Sequence, residues 1–169
     1  MCDNLPPGWG MEREWIMLQF LDGLLHNKVL LCAITGWFVA QVCKALLFAL
    51  MNRRFQLERL VGSGGMPSSH AATVLAMVVA SGVEYGPESF PFAISALVAI
   101  IVIHDARGVR LETGRQAEIL NRLMHYGDLK ELFEDEAYLK ELVGHTPFQV
   151  LVGAILGAVT GLIMSLYVV

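Results

Sequence analysis

The chain has 169 residues, of which 55% are hydrophobic and 17% are charged, with a formal net charge of −4. This apolar share and the mean hydropathy of +0.55 exceed those of an ordinary soluble domain, so the composition indicates a single membrane domain. The acidic balance argues against a nucleic-acid partner, and the three cysteines (Cys2, Cys32 and Cys43) lack the spacing of metal ligands.

Residues 11–25 have the pattern of an amphipathic helix that lies at a membrane interface. Trp15, Leu18, Leu21 and Leu25 are apolar at helical spacing, and polar residues stand between them. The segment is too polar to cross a bilayer. We therefore predict an interfacial helix ahead of the membrane bundle.

Four apolar segments follow, and they predict membrane helices over residues 29–51, 67–84, 91–106 and 147–169. The second and third are short, and they cross the bilayer if the bundle is thin or tilted. Residues 107–144 form a polar excursion whose acidic part is typical of a solvated helix. The prediction is an all-α membrane bundle over residues 1–169, with the loop 52–66 and the excursion on one membrane face.

Residues 62–70, with the sequence Gly-Ser-Gly-Gly-Met-Pro-Ser-Ser-His, have the clearest chemistry in the chain. Glycines allow a tight turn close to a ligand, Pro67 favours a first helical turn, and Ser68 and Ser69 can cap the helix. The free N–H groups of a helix start bind anions, and His70 stands beside them as an acid or base. The stretch predicts a phosphate-binding site, with an ordinary capped helix as the alternative.

The last helix has a sharply specified start. Thr146 and Gln149 fit a capping box, and Pro147 fits the first helical position. This leaves His145 immediately outside a second helix N-terminus. Further along, small residues recur at every fourth position and form a smooth helix face, namely Gly153, Gly157 and Gly161. That face predicts close packing, either inside the bundle or in a homo-oligomer.

Cationic residues share the membrane face of the two histidines. Lys44 lies inside the first span and must therefore face protein or water. Arg53 and Arg54 follow that span, and Arg110 follows the third. Such side chains bind phosphate oxygens, while one histidine attacks phosphorus and the other protonates the leaving oxygen. The set predicts phosphoryl transfer without a metal or other cofactor; a metal site built from Asp105, Glu112 and Glu118 would have no recognised spacing.

At these motifs the chain resembles a known family. Three segments are similar to the signature motifs of the type-2 phosphatidic-acid phosphatase superfamily, which includes vanadium haloperoxidases: Lys44 to Arg53, Pro67 to His70, and His145 through Gln149-Val150 to Gly153. The similarity is closer to a divergent branch of small membrane proteins related to acid phosphatases and vanadium-dependent haloperoxidases. It covers residues 35–165 and rests on Gly64 to His70, Asp105-Ala, Gly108-Val-Arg110, Gly114, Gln116-Ala117, Asn121, Gly144-His145 and Pro147.

The resemblance implies roles for individual residues. It makes His145 the nucleophile and His70 the general acid, and it assigns phosphate binding to Ser68, Ser69 and Lys44. An arginine after the first span would complete the clamp. Arg53 fits the family position, whereas helical geometry places Arg54 nearer the face of Lys44.

Two departures from the superfamily pattern affect the expected activity. Leu139 stands where the superfamily has an arginine, so Arg110 or Arg107 must reach the site instead. Gln149 stands where the superfamily has an aspartate and the divergent branch a glutamate. An amide orients the catalytic imidazole but does not stabilise its cation, so we expect reduced activity.

The resemblance implies a lipid-phosphate phosphatase with a phosphohistidine intermediate, acting on phosphatidylglycerophosphate, phosphatidate or a polyprenyl phosphate or diphosphate. The competing hypothesis is a non-catalytic protein that binds or transports anionic lipid headgroups. We expect an integral protein of a bacterial plasma membrane. The positive-inside rule places the motif-bearing face on the cytoplasmic side.

Overall fold

Helices make up nearly all of the described chain. The computed structural model describes residues 9–53, 65–124, 139 and 144–167, with side chains from Trp15 onward. Within these residues it has six helices and no strand: α1 Trp9–Leu25, α2 Lys28–Asn52, α3 Ser69–Tyr85, α4 Phe90–Arg107, α5 Val109–Met124 and α6 Pro147–Tyr167.

Side-chain caps fix where the membrane helices begin. The side chains of Asn27, Ser68 and Ser89 accept hydrogen bonds from backbone N–H groups in the first turns of α2, α3 and α4. Because Ser68 is the cap of α3, that helix begins two residues later than predicted. Pro67 therefore precedes the helix instead of occupying its first turn.

The membrane helices alternate in direction, as contacts at both ends of the bundle show. At one end, Lys28 Nζ of α2 lies 3.4 Å from Glu84 Oε2 of α3, and Cys32 Sγ lies 3.5 Å from Ser165 Oγ of α6. At the other end, Ser68 N–H donates to the Gln149 carbonyl in the first turn of α6, and His145 N–H, before α6, donates to the Ala106 carbonyl at the end of α4. This second end, which carries the histidine motifs, is called the motif end.

The glycines of α6 pack against α3 of the same chain. A Cβ atom on Gly157 would collide with the Ala72 carbonyl, and one on Gly161 would lie 2.7 Å from Ala76 O. A Cβ atom on Gly153 would likewise collide with the Ser68 carbonyl. The face formed by Gly153, Gly157 and Gly161 is thus occupied within the bundle, which is the first of the two predicted alternatives, and the homo-oligomer stays a prediction. Backbones approach this closely only where side chains are absent.

The bundle has small residues inside and large apolar residues outside. Its core contains mainly alanines such as Ala72, Ala76 and Ala80, whereas Leu50, Ile101 and Tyr167 are exposed. Among the described residues, three stretches are long and apolar enough to cross a membrane: Lys28–Asn52, the run Phe90–Met124 that joins α4 to α5, and Pro147–Tyr167. The shorter α3 packs against α2, α4 and α6. The chain is an integral membrane protein.

The first helix forms as predicted and begins two residues earlier, at Trp9. From Trp15 onward every side chain of α1 is exposed, including Ile16, Met17 and Phe20, which stand between the predicted apolar positions. The helix is thus an apolar element too short to cross a membrane by itself, and Gln19 and Asp22 are its polar interruptions. Its position at the membrane interface stays a prediction.

Candidate active site

Two histidines from distant parts of the chain meet at the motif end. His70 is the second residue of α3, and His145 lies two residues before α6. Their ring centroids are 5.8 Å apart, and the rings meet edge to face at 64°. His145 is only 1% exposed, whereas His70 is partly exposed. The structure therefore brings together the two histidines that the sequence singled out.

Backbone contacts hold His145 in place. Its N–H donates to the Ala106 carbonyl at the end of α4, at 3.1 Å. Gly144 lies directly on the backbone of Arg110 and Leu111, where a Cβ atom would come within 2.8 Å of Arg110 C. Any larger residue at position 144 would push the His145 segment away from α4 and α5. The glycine before His145 was visible in the sequence, but its backbone partner was not.

The start of α3 is joined to the start of α6. Ser68 N–H donates to the Gln149 carbonyl at 3.1 Å, and Ser68 Oγ accepts from Ala71 N–H at 3.4 Å. Ser68 and Ser69 are both buried. The Ser68 hydroxyl oxygen thus serves as the helix cap. The N–H groups of Ser69 and His70, like those of any first helical turn, point out of the helix toward the space in front of it.

Lys44 reaches the histidines from α2. It is 4% exposed, and its Cγ and Cδ atoms lie 3.6 Å from the position that a Cβ atom on Gly65 would take. Its charge acts on both His70 and His145. Gly65 has a φ of +82°, a conformation that glycine adopts readily. Gly65 therefore lies directly over the lysine stem.

Arg110 is the arginine that the structure places at the site. Its charge acts on His70, and its Nε lies 2.5 Å from Asp105 Oδ2. Arg107 instead lines a separate groove with His104. The Leu139 backbone, at the position of the superfamily arginine, is held by Asn121, which donates to its carbonyl at 2.8 Å and accepts from its N–H at 3.0 Å.

Arg53, the first arginine after the first span, lies at the exposed end of α2. Arg53 ends α2 in a left-handed conformation with φ 51°, and it is exposed. It lies nine residues beyond Lys44, which is about 13 Å along a helix axis. It is not among the charged groups that act on either histidine. The clamp role of Arg53 stays a prediction, and Arg54 lies outside the described residues.

Gln149 is engaged in the predicted capping box. Its Oε1 accepts from Thr146 N–H at 3.0 Å, and its own N–H donates to Thr146 Oγ1 at 3.4 Å. Among the described residues, three buried side-chain atoms have no hydrogen-bond partner: His70 Nδ1, His145 Nδ1 and Gln41 Oε1. Buried unpaired polar atoms are rare and often belong to functional groups. The sequence indicated Gln41 only as a polar interruption of the first span.

Burial lowers the pKa of His145 below the ordinary histidine value of 6.5, and the adjacent His70 lowers it further. The Gln149 side chain and the Gly65 carbonyl oppose this shift without reversing it. The His145 imidazole is therefore neutral at neutral pH. A neutral imidazole has the free lone pair that a nucleophile needs.

The alternative metal site has no support in the arrangement of its carboxylates. Glu112 pairs with Arg115 at 2.7 Å, Glu118 pairs with Arg122 at 2.5 Å, and Asp105 pairs with Arg110. Across the described ranges, no three His, Cys, Asp or Glu side chains form a group suited to a metal ion.

Comparison with known proteins connects this geometry to a family. A model of the Divergent PAP2 family matches residues 25–160. The chain is also 34% identical over 154 residues to the uncharacterized membrane protein YuiD of Bacillus subtilis (strain 168), across 85% of this chain and 98% of that protein. No solved structure matches. The matched region contains both histidines, Lys44 and Arg110.

Proposed function

Because the chain belongs to the Divergent PAP2 family, we propose that it is a membrane phosphatase that hydrolyses a lipid phosphate through a phosphohistidine. The observation that carries this proposal is the histidine pair, 5.8 Å apart, at the starts of two helices. A buried lysine and an arginine adjoin the pair. The substrate is a phosphomonoester or diphosphate lipid of the phosphatidylglycerophosphate, phosphatidate or polyprenyl phosphate class.

The first step transfers the phosphoryl group to His145. A lone pair of the neutral imidazole attacks phosphorus, so an N–P bond forms while the P–O bond to the lipid alcohol breaks. His70 gives its proton to the departing oxygen. In the second step a water molecule attacks phosphorus and gives a proton to His70. The N–P bond breaks, and inorganic phosphate leaves.

The remaining groups stabilise charge on the phosphoryl oxygens. Lys44 and Arg110 supply positive charge from α2 and from the start of α5, and the N–H groups of Ser69 and His70 supply helix-terminal dipoles. Asp105 holds Arg110 by a short ion pair. These groups come from three helices, so the phosphate binds where the helices converge.

The use of Gln149 in the capping box favours the competing, non-catalytic function. Its Oε1 bonds to Thr146, and an amide adds no negative charge beside His145. A site with two imidazoles and two cations but no carboxylate beside the nucleophile could bind an anionic headgroup without cleaving it. The two functions differ in whether bound lipid phosphate releases inorganic phosphate.

The test is phosphate release from detergent-solubilised protein in EDTA, with phosphatidylglycerophosphate, phosphatidate and undecaprenyl phosphate as substrates. The parent should release phosphate from at least one of them, and orthovanadate, a mimic of the five-coordinate phosphoryl transition state, should inhibit it. The His145→Ala variant should bind the same lipid without releasing phosphate. Binding without release by the parent itself would establish the non-catalytic function instead.

A further inference from the structure

A cavity of about 400 Å³ lies between α2, α3 and α4, toward the end of the bundle away from the histidines. Most of its wall is apolar and includes Leu30, Ala33, Met77, Ile94 and Val98. Ile94 and Val98 are 44% and 38% exposed, so the cavity opens at the side of the bundle. In an integral membrane protein, that side faces lipid.

The cavity also contains two serines, but they do not make it a polar site. Ser95 Oγ donates to the Phe92 carbonyl of its own helix at 2.8 Å, so its hydrogen-bonding capacity is used within α4. Ser81, which also lines the cavity, is 1% exposed. Neither residue carries a charge. The lining therefore suits a hydrocarbon ligand.

On α3, the cavity lies on the same face as the catalytic histidine. Met77 and Ser81 follow His70 by seven and eleven residues, which places them within roughly 20° of it around the helix axis. They lie about 10 and 16 Å from His70 along that axis. Tyr85, at the far end of the cavity, lies about 22 Å away. A ligand that extends from His70 down this face would enter the cavity.

The opposite wall, on α4, shows the same alignment. Val98 and Ile94 precede Asp105 by seven and eleven residues, so all three lie on one face of the helix. Asp105 is the partner of Arg110, whose charge acts on His70. On both α3 and α4, the residues that line the cavity thus lie on the same helix face as a residue of the phosphate site. The other groove on α4, which Ile103 and Arg107 line, lies on the opposite face of that helix.

We infer that this cavity binds the hydrocarbon chain of the lipid whose phosphate occupies the histidine site. The inference rests on the proposed function for the position of the phosphate. A lipid anchored by its headgroup at the motif end must extend its chain toward the membrane centre, and the cavity begins about 10 Å below His70. A short chain would not reach it. The site therefore selects long-chain lipid phosphates.

Binding of the lipid's hydrocarbon chain in the cavity affects the position of the substrate more than its affinity. Bilayer lipid is as apolar as the cavity, so moving a chain from one to the other gives little free energy. A chain held along α3 and α4 does fix the phosphate relative to His145, and misplacement of reacting groups costs up to about a hundredfold in rate. The expected signature is a preference for long chains in kcat/KM.

A pair of neighbouring substitutions on α4 tests this inference. Val98→Trp fills the cavity, whereas Leu97→Trp adds the same side chain at a position that is 56% exposed and does not line it. The measured quantity is the ratio of kcat/KM for dioleoyl phosphatidate to that for dihexanoyl phosphatidate in detergent micelles. Val98→Trp should lower this ratio about tenfold, and Leu97→Trp should keep the parental ratio. An equal ratio in the two variants would overturn the inference.

A second measurement does not depend on turnover. A phosphatidate with a photoactivatable diazirine near its chain end is cross-linked to the His145→Ala variant, and the labelled peptides are mapped by mass spectrometry. Labels should fall on Met77, Val98 and their neighbours in the cavity. Labels on the outer face of α6, such as Ile155 or Ile163, would refute the inference. If the parent releases no phosphate but the cavity is labelled, the phosphatase proposal fails. The inference that the cavity binds the hydrocarbon chain of a lipid phosphate then stands.

Discussion

The starts of α3 and α6 both bring a histidine to the motif end, but they do so in different ways. His70 lies within the first turn of its helix, is partly exposed, and is surrounded by the charges of Lys44, Arg110 and Asp105. His145 lies outside its helix, is 1% exposed, and is held by backbone contacts to α4 and α5. The rigid, neutral imidazole suits a nucleophile. The accessible one suits proton exchange with the leaving group and with water.

The largest expected effect comes from removing each imidazole in turn. His145→Ala should lower kcat/KM for phosphatidate more than about a thousandfold, because it removes the group that receives the phosphoryl. His70→Ala should cost about a hundredfold, which is the usual contribution of a general acid. The measurement is phosphate release under subsaturating conditions. Equal losses in the two variants would contradict the division of roles.

A change of leaving group sharpens the same comparison. The nitrophenolate of p-nitrophenyl phosphate leaves without protonation, so His70→Ala should lose only a few-fold of activity on this substrate. His145→Ala should remain inactive on it. The readout is absorbance of released nitrophenolate. A loss in His70→Ala that is as large with p-nitrophenyl phosphate as with phosphatidate would show that His70 does not act as the acid.

The backbone clamp on His145 predicts a strong effect at a residue with no side-chain chemistry. Gly144→Ala places a Cβ atom against the backbone of Arg110 and Leu111, so the His145 segment must shift. We expect kcat to fall about a hundredfold. Gly23→Ala is the control, since nothing lies within 4 Å of that position, and it should keep the parental activity. Parental activity in Gly144→Ala would show that the clamp does not position the nucleophile.

Gln149→Glu should raise activity, because it adds a charge without removing the helix cap. Glutamate fits a capping box as well as glutamine does. Its carboxylate would stabilise the positive charge that develops on His145 during attack. We expect a gain of about tenfold in kcat, with the melting temperature as a check that the fold is kept. No gain, in a folded variant, would show that the amide does not limit the reaction.

The smallest effect is a displacement of the pH profile. Because burial lowers the pKa of His145, kcat/KM should stay high below pH 6.5 and fall only when His145 becomes protonated. The carboxylate of the Gln149→Glu variant favours the imidazolium, so the acidic limb should move to higher pH. The substrate ionises identically in both assays, and the difference between the profiles therefore reports on His145. If the acidic limbs of the parent and the Gln149→Glu variant coincide, the ionisation that limits kcat/KM belongs to a group other than His145.

Much of the fold could be predicted from local sequence. Apolar runs and capping residues gave the membrane helices to within two residues of their observed ends, and the capping box of Thr146 and Gln149 formed as expected. The two histidines were also predicted to meet, since both stand at helix starts on one membrane face. The helix bounds and the caps depend on residues close together in the chain, which is why the sequence displays them.

Features that depend on distant pairs could not be predicted in the same way. The placement of Arg110, and not Arg107, near His70 follows from the turn between α4 and α5, which no local pattern specifies. The glycine face of α6 was compatible with packing inside the bundle or against a second copy, and only the structure shows α3 against it. The alignment of the apolar cavity with His70 is likewise a relation between three helices. Periodicity within a single helix does not determine any of these.

The central claim is that His145 carries the phosphoryl group during turnover. The most direct measurement is rapid quenching of the parent with ³²P-labelled phosphatidate in EDTA, followed by mass spectrometry of the labelled peptide. The account predicts label on the peptide that contains His145, stable in base and lost in acid, and absent from His145→Ala. Turnover with no labelled His145 in the parent, or an identical labelled peptide in His145→Ala, would contradict it.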